Sequence, residues 1–199
     1  MEKLALHSCC FIGHRRITKT AKLTNDLRRI IEDFILNKSV NTFFFGSRSE
    51  FDKLCYEIVS DLKLSYPTIR RIYVRAEYPL IDNDYKSYLL QYYEETYFPQ
   101  KIEKAGKAVY IERNYEMIDR CAYCIIYYDE NYLPSITGST KRRSAGKKLQ
   151  SGTQLAYSYA RQKKLYVHNV FNYKLYWYLR YLHPFEKFFL QYLLKSIII

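Results

Sequence analysis

The residues best suited to chemistry are the run Arg113-Asn114-Tyr115-Glu116-Met117-Ile118-Asp119 and, after an apolar stretch, the turn Ser151-Gly152-Thr153. The spacing predicts that the Arg-Asn pair opens a short helix, that a buried strand follows, and that the turn starts the next helix. Glycine lets backbone N–H groups approach an anion, a helix N-terminus adds partial positive charge, and a guanidinium forks onto phosphate or carboxylate. Together these describe a site for a nucleotide phosphate. Ser151 reads as an N-cap, and Gly152, Thr153 and Gln154 as an anion nest; many helices begin this way for capping alone. Arg113 has a second reading as a surface arginine paired with Glu112 or Glu116, and Asn114 as a capping residue.

Two other loops carry groups suited to the same partner. Gly13-His14-Arg15 follows the apolar run Ser8-Cys9-Cys10-Phe11-Ile12. His14 there has two readings: a phosphate or proton-transfer group near neutral pH, or a cap for loop backbone. Gly46-Ser47-Arg48-Ser49 ends the run Thr42-Phe43-Phe44-Phe45, which puts Arg48 where phosphate contacts are common. Glu50 and Asp52 fall in the first turn of the next helix, where the dipole alone accounts for a carboxylate. With His14 they are the candidates for proton transfer, and Asp52 has a further reading as a ribose-hydroxyl partner. Cys121-x-x-Cys124 has no second such pair, and Cys124 opens an apolar run, so these thiols read as core and no metal site is expected.

These loops need elements to hold them. Leu23, Leu27, Ile30, Ile31 and Phe34 recur at helical spacing behind a Thr18 or Thr20 cap, and Phe51, Leu54, Cys55, Ile58, Val59 and Leu62 do so behind Ser49. Residues 69–74 form a third strand, 111–120 a short helix, 124–128 a fourth strand, 152–163 a helix and 165–170 a fifth strand. The segment 76–107, with Pro79, Pro99 and Tyr85, Tyr88, Tyr92, Tyr93 and Tyr97, reads as a partly helical flap whose tyrosines offer faces for a base. Strand-helix alternation predicts an α/β fold with a parallel sheet covered on both faces, and ligands in such sheets bind beyond the carboxyl ends of the strands. Residues 1–170 read as one Rossmann-like domain and 171–199 as an aromatic, helical C-terminal extension. That extension suits docking on the domain or on a second subunit, which makes a homodimer one reading.

The chain has 199 residues, of which 48% are hydrophobic and 26% charged, enough for one well-buried domain. Its 23 tyrosines are in part the spelling of an AT-rich genome. The net charge of +12 favours phosphate-bearing partners. Lys141, Arg142, Arg143, Lys147 and Lys148 read as a solvated loop, with a closing lid or a nucleic-acid strip as the functional alternatives. No run is long enough to span a bilayer, and five cysteines without an even framework point to a reducing cytoplasm.

Four of these segments, in order, resemble the SLOG superfamily, the Rossmann-like group that includes DNA-processing protein A and the LONELY GUY phosphoribohydrolases. Residues 9–15 are similar to its Cys-Cys-Phe-x-Gly-His-Arg pattern, 43–52 to Phe-x-x-Gly-x-x-x-x-Phe-Asp, 112–119 to Glu-Arg-Asn-x-x-Met-Ile-Asp, and 151–156 to Ser-Gly-Thr-x-x-Ala. The likeness is nearest to the small SLOG proteins of Firmicutes. It implies a site for a nucleotide or nucleotide-derived ligand, with no other cofactor required. In the LONELY GUY type the arginine before the methionine, here Arg113, and a glutamate three residues after the threonine carry N-glycosidic cleavage. Here that second position is Ala156, so the resemblance implies binding in a sensor, carrier or sequestering role ahead of phosphoribohydrolase or nucleotide-hydrolase activity. Binding of nucleic acid, by likeness to DNA-processing protein A, is a third implication.

Overall fold

The structure is a computed structural model and describes residues 6–76, 83–132 and 150–171. Thr42–Phe45 (β2) is the most apolar strand, buried along its whole length, as a central strand covered on both faces must be. Beside it lies β1 (Ser8–Gly13), paired Cys9 to Phe43, and beyond it β3 (Arg70–Val74), paired Phe44 to Ile72. Glu95–Tyr97 (β4) adds a three-residue edge strand to β3. On the other side of β1 come β5 (Tyr123–Tyr127), with Cys10 opposite Cys124, and β6 (Tyr166–Asn169). All pairs are parallel and the order is β4-β3-β2-β1-β5-β6, so the chain reverses direction between β1 and β5. This is a Rossmann-like α/β architecture, with a sixth strand that the sequence reading did not contain.

The strand pleat divides the core in two. Cys9, Phe11, Phe43, Phe45 and Ile125 face α1 (Ala21–Lys38) and α2 (Glu50–Ser65), while Cys10, Ile12, Phe44, Ile72, Cys124 and Ile126 face α4 (Val109–Asp119) and α5 (Gly152–Gln162). Thr20 caps α1, accepting the Leu23 N–H at 3.1 Å, and Ser49 caps α2, accepting that of Asp52 at 3.1 Å. Segment 76–107 is partly helical as expected, but its described residues include a strand of the sheet, so the flap reading is corrected. It holds α3 (Asn83–Leu90), β4 and two 3₁₀ turns, Gln100–Ile102 and Gly106–Ala108. The physical reason is the sheet edge. Arg71 forks onto Glu94 at 2.7 and 3.2 Å, and the Arg75 N–H donates to Tyr97 O at 2.9 Å, which ties the segment down as a strand.

Residues 172–199, with nearly all of the expected extension, and the basic cluster 141–148 lie outside the described residues. Among the described residues no helix is long and apolar enough to cross a membrane.

Candidate functional site

Because every strand is parallel, the loops after β1, β2, β3 and β5 and the N-termini of α2 and α5 gather at one edge, the carboxyl edge. The reversal between β1 and β5 makes the space beyond these two strands the default ligand crevice of such a sheet.

Gly13 ends β1 against Phe51. A Cβ there would lie 2.4 Å from the Phe51 ring, so glycine is required by packing. His14 follows with only 1% of its surface exposed, stacked on Tyr132 with ring centroids 3.8 Å apart. Its Nε2 lies 2.9 Å from the Asp129 N–H and 3.2 Å from the Asp129 carbonyl, so both of its contacts are to one residue's backbone. Desolvation lowers the pKa of the ring, despite the opposing influence of Asp129, and holds it neutral. Nδ1 is buried and has no hydrogen-bond partner among the described residues. Tyr128 lies 6.0 Å from His14 and itself stacks on Tyr157 of α5 at 4.9 Å, so one aromatic ring separates the histidine from that helix. Asn169 fixes Tyr128 from β6, accepting its N–H at 3.1 Å and donating to its carbonyl at 2.9 Å.

Arg15 and Arg48 are exposed. The Arg15 carbonyl accepts the Glu50 N–H at 3.0 Å, and Arg48 donates to Tyr85 Oη at 3.1 Å. Glu50 uses its carboxylate to accept the Ile17 N–H at 2.8 Å, pinning the β1–α1 loop to the start of α2. Ser47 Oγ accepts the Ser49 N–H at 2.9 Å.

The expectation that Arg113 and Asn114 open a helix is corrected. The 3₁₀ turn at Gly106–Ala108 runs straight into α4, which starts at Val109, so both residues sit in its second turn and Asn114 caps nothing. Arg113 shares the inward stripe with Glu116 and Met117, is 5% exposed, and donates to Gly46 O and, at 3.1 Å from Nε and from Nη2, to Asn114 Oδ1. Gly46 makes this crossing feasible, since a Cβ would stand 2.6 Å from Arg113 Cδ and 2.8 Å from Met117 Sδ. The surface pairing with Glu112 or Glu116 is not formed; Glu116 instead takes Lys101 and Arg120.

On the far side of Gly46 lies Asp52, 2% exposed. It accepts the Ser47 N–H at 3.3 Å and that of Gly46. Desolvation pushes its carboxyl up to about 7, against the pull of Arg113, and Oδ1 has no hydrogen-bond partner. An arginine from one helical layer and a carboxyl from the other thus meet over the end of β2.

Ser151 caps α5, accepting the Gln154 N–H at 3.1 Å. The first turn of α5 contains no acidic residue, whereas that of α2 contains Glu50 and Asp52. The positive pole of α5 is therefore uncompensated and that of α2 is not. Gly152 is exposed, and among the described residues a Cβ on it would meet nothing within 4 Å. Packing against the described residues does not require a glycine here, and the Gly152 and Thr153 N–H groups belong to the first turn of the helix.

Sequence reasoning missed Asp129, Tyr132, Asn169 and Arg75. Asp129 directly follows the Tyr127-Tyr128 pair and Tyr132 lies one turn further on, so their place after a strand end is the signal the sequence carries. Cys121 and Cys124 are buried; burial pushes the Cys121 thiol up against an opposing bond to Cys10, the bond to Cys10 and then burial push the Cys124 thiol up, and among the described residues no cluster of three metal-ligating side chains occurs. No family model matches the chain, and no curated protein matches its sequence.

Proposed function

We propose that this chain binds a nucleotide or nucleotide-derived small molecule at the carboxyl edge of its sheet, as a sensor, carrier or sequestering protein. The observation that carries the reading is His14 Nδ1, a buried ring nitrogen with no hydrogen-bond partner among the described residues, beside Tyr128, which stacks on Tyr157 of the helix whose first turn lacks carboxylates. A buried polar group left unpaired costs about 1–3 kcal/mol. A ligand oxygen would remove that cost. The α5 N-terminus takes the phosphate through Gly152 and Thr153. Tyr128 and Tyr157, or the run Tyr85, Tyr88 and Tyr92, supply faces for a base. The SLOG-like order of motifs supports the same reading.

The test is a thermal-shift panel of mono-, di-, cyclic and dinucleotides, with ADP-ribose and nicotinamide nucleotides included. One class raises the melting temperature of the wild type, and Gly152→Val, which has room to fold, loses the rise. Absence of a shift with every member, from folded protein, sinks the reading.

A second reading, nucleotide hydrolysis, draws on Asp52. A carboxyl pushed up to about 7 can both give and take a proton at neutral pH. Release of base or phosphate from the same panel, lost in a folded Asp52→Asn, is its signature. A nucleic-acid reading rests on the likeness to DNA-processing protein A and on the net charge of +12.

A further inference from the structure

Three arginines belong to the β3 segment, and they differ in what they meet. Arg70 pairs with Glu95 at 2.9 Å and Arg71 with Glu94 at 2.7 Å. Arg75, just past the carboxyl end of β3, has no carboxylate among the described residues. Its Nε is buried without an acceptor, and Tyr85 is the one described ionisable group that acts on it. The same tyrosine accepts from Arg48 at 3.1 Å and stacks on Tyr88 with centroids 6.2 Å apart. Among the described residues this partly dry guanidinium lacks the counter-charge that its neighbours on the strand possess.

We propose that Arg75, with Tyr85 beside it, is a second anion-recognition position, and that the ligand is a nucleotide carrying a second anionic group set apart from its first phosphate. This deepens the function proposed above and rests on it. In the strand order β5-β1-β2-β3, three intervals separate the end of β3 from that of β5, which is about 14 Å at ordinary strand spacing. The reach of the Arg75 side chain shortens that gap. A contiguous di- or triphosphate on α5 leaves Arg75 unmet, whereas a phosphate on the far ribose, or a carboxylate at the far end, meets it. Desolvation lowers the pKa of Arg75, and an arriving anion would offset it.

Calorimetric titrations with two matched pairs of probes test this: adenosine 5′-monophosphate against adenosine 3′,5′-bisphosphate, and NAD against NADP. In the wild type the additional phosphate tightens binding in at least one pair, by roughly 10- to 100-fold for one charge-assisted contact. In Arg75→Gln that gain disappears while the partner lacking the extra phosphate binds as before, and Arg75→Lys keeps part of the gain. The melting temperature of each unliganded variant checks that folding is intact. Equal gain in Arg75→Gln, or no gain in the wild type with the simpler probe still bound through α5, overturns the second position alone. Failure of all four probes, with another member of the nucleotide panel still bound, overturns the second position alone, and failure of the whole panel overturns both readings.

Discussion

At the amino edge of the sheet Arg71 forks onto Glu94, Arg70 meets Glu95, and Asp119 collects Lys101 at 3.2 Å, Lys163 at 3.1 Å and the Tyr159 hydroxyl at 2.9 Å. At the carboxyl edge His14 Nδ1, Asp52 Oδ1 and Arg75 Nε are buried and have no hydrogen-bond partners among the described residues. Tyr97 Oη is a further such atom, but its ring lies under the Arg120 guanidinium at 4.7 Å. The two edges belong to one sheet and one chain, so general packing quality does not separate them. One edge closes its polar accounts internally. The other tolerates deficits of the kind native proteins retain at functional sites.

The sharpest way to break this contrast is to remove one cation from each edge. Arg113→Ala leaves Asp52 buried beneath Gly46 without its compensating charge and should cost about 3–5 kcal/mol in denaturant unfolding. Arg70→Ala removes an ion pair whose side chains are 47% exposed and should cost no more than about 1 kcal/mol. Comparable losses in the two variants would erase the distinction.

Asp52 sharpens it through pH. Its carboxyl rises from 3.8 to about 7 on folding, so the folded chain holds a proton that the unfolded chain releases within that interval. The stability carried by the neutral carboxyl is full below about pH 4 and is lost as pH rises through about 7. Asp52→Asn cannot ionise, so relative to wild type it should gain on the order of 3 kcal/mol between pH 4 and pH 8. Melting curves of the two proteins that stay parallel across that range would remove Asp52 from the set of strained groups.

The smallest effects separate two glycines of the same edge. Gly13→Ala drives a methyl into the fully buried Phe51 ring and should cost about 1–3 kcal/mol. Gly152→Ala meets nothing and should change stability by no more than about 0.5 kcal/mol. Equal costs would mean that Gly152 is held by packing and not by access.

Most of the fold is legible in the chain because its central strands are apolar runs such as Phe43-Phe44-Phe45, and its helices repeat apolar residues behind Thr20, Ser49 and Ser151. β4 escapes that reading. Glu95-Thr96-Tyr97 has no apolar run, and its strand character comes from Arg71 and from the Arg75–Tyr97 bond, both contributed from outside the segment. The site is legible to a lesser degree. Gly13, Gly46, Ser151 and Gly152 are placed by turn chemistry, yet the glycines act differently: Gly13 and Gly46 make room for Phe51 and Arg113, and Gly152 makes room for nothing within the described chain. Arg113 is read as ligand-facing because its burial depends on the missing Cβ of Gly46, a contact across two layers that spacing does not encode. Arg75 is indistinguishable from Arg70 and Arg71 until their partners are known.

Among the described residues the sheet ends in β4, three residues long, on one side and in β6, four residues long, on the other. An incoming strand would find only a few free amides to align on at either rim, too few to hold a register. Copies of this domain crowded together should therefore resist zipping rim to rim, and any self-association would run through side chains instead of through a shared, growing backbone ladder.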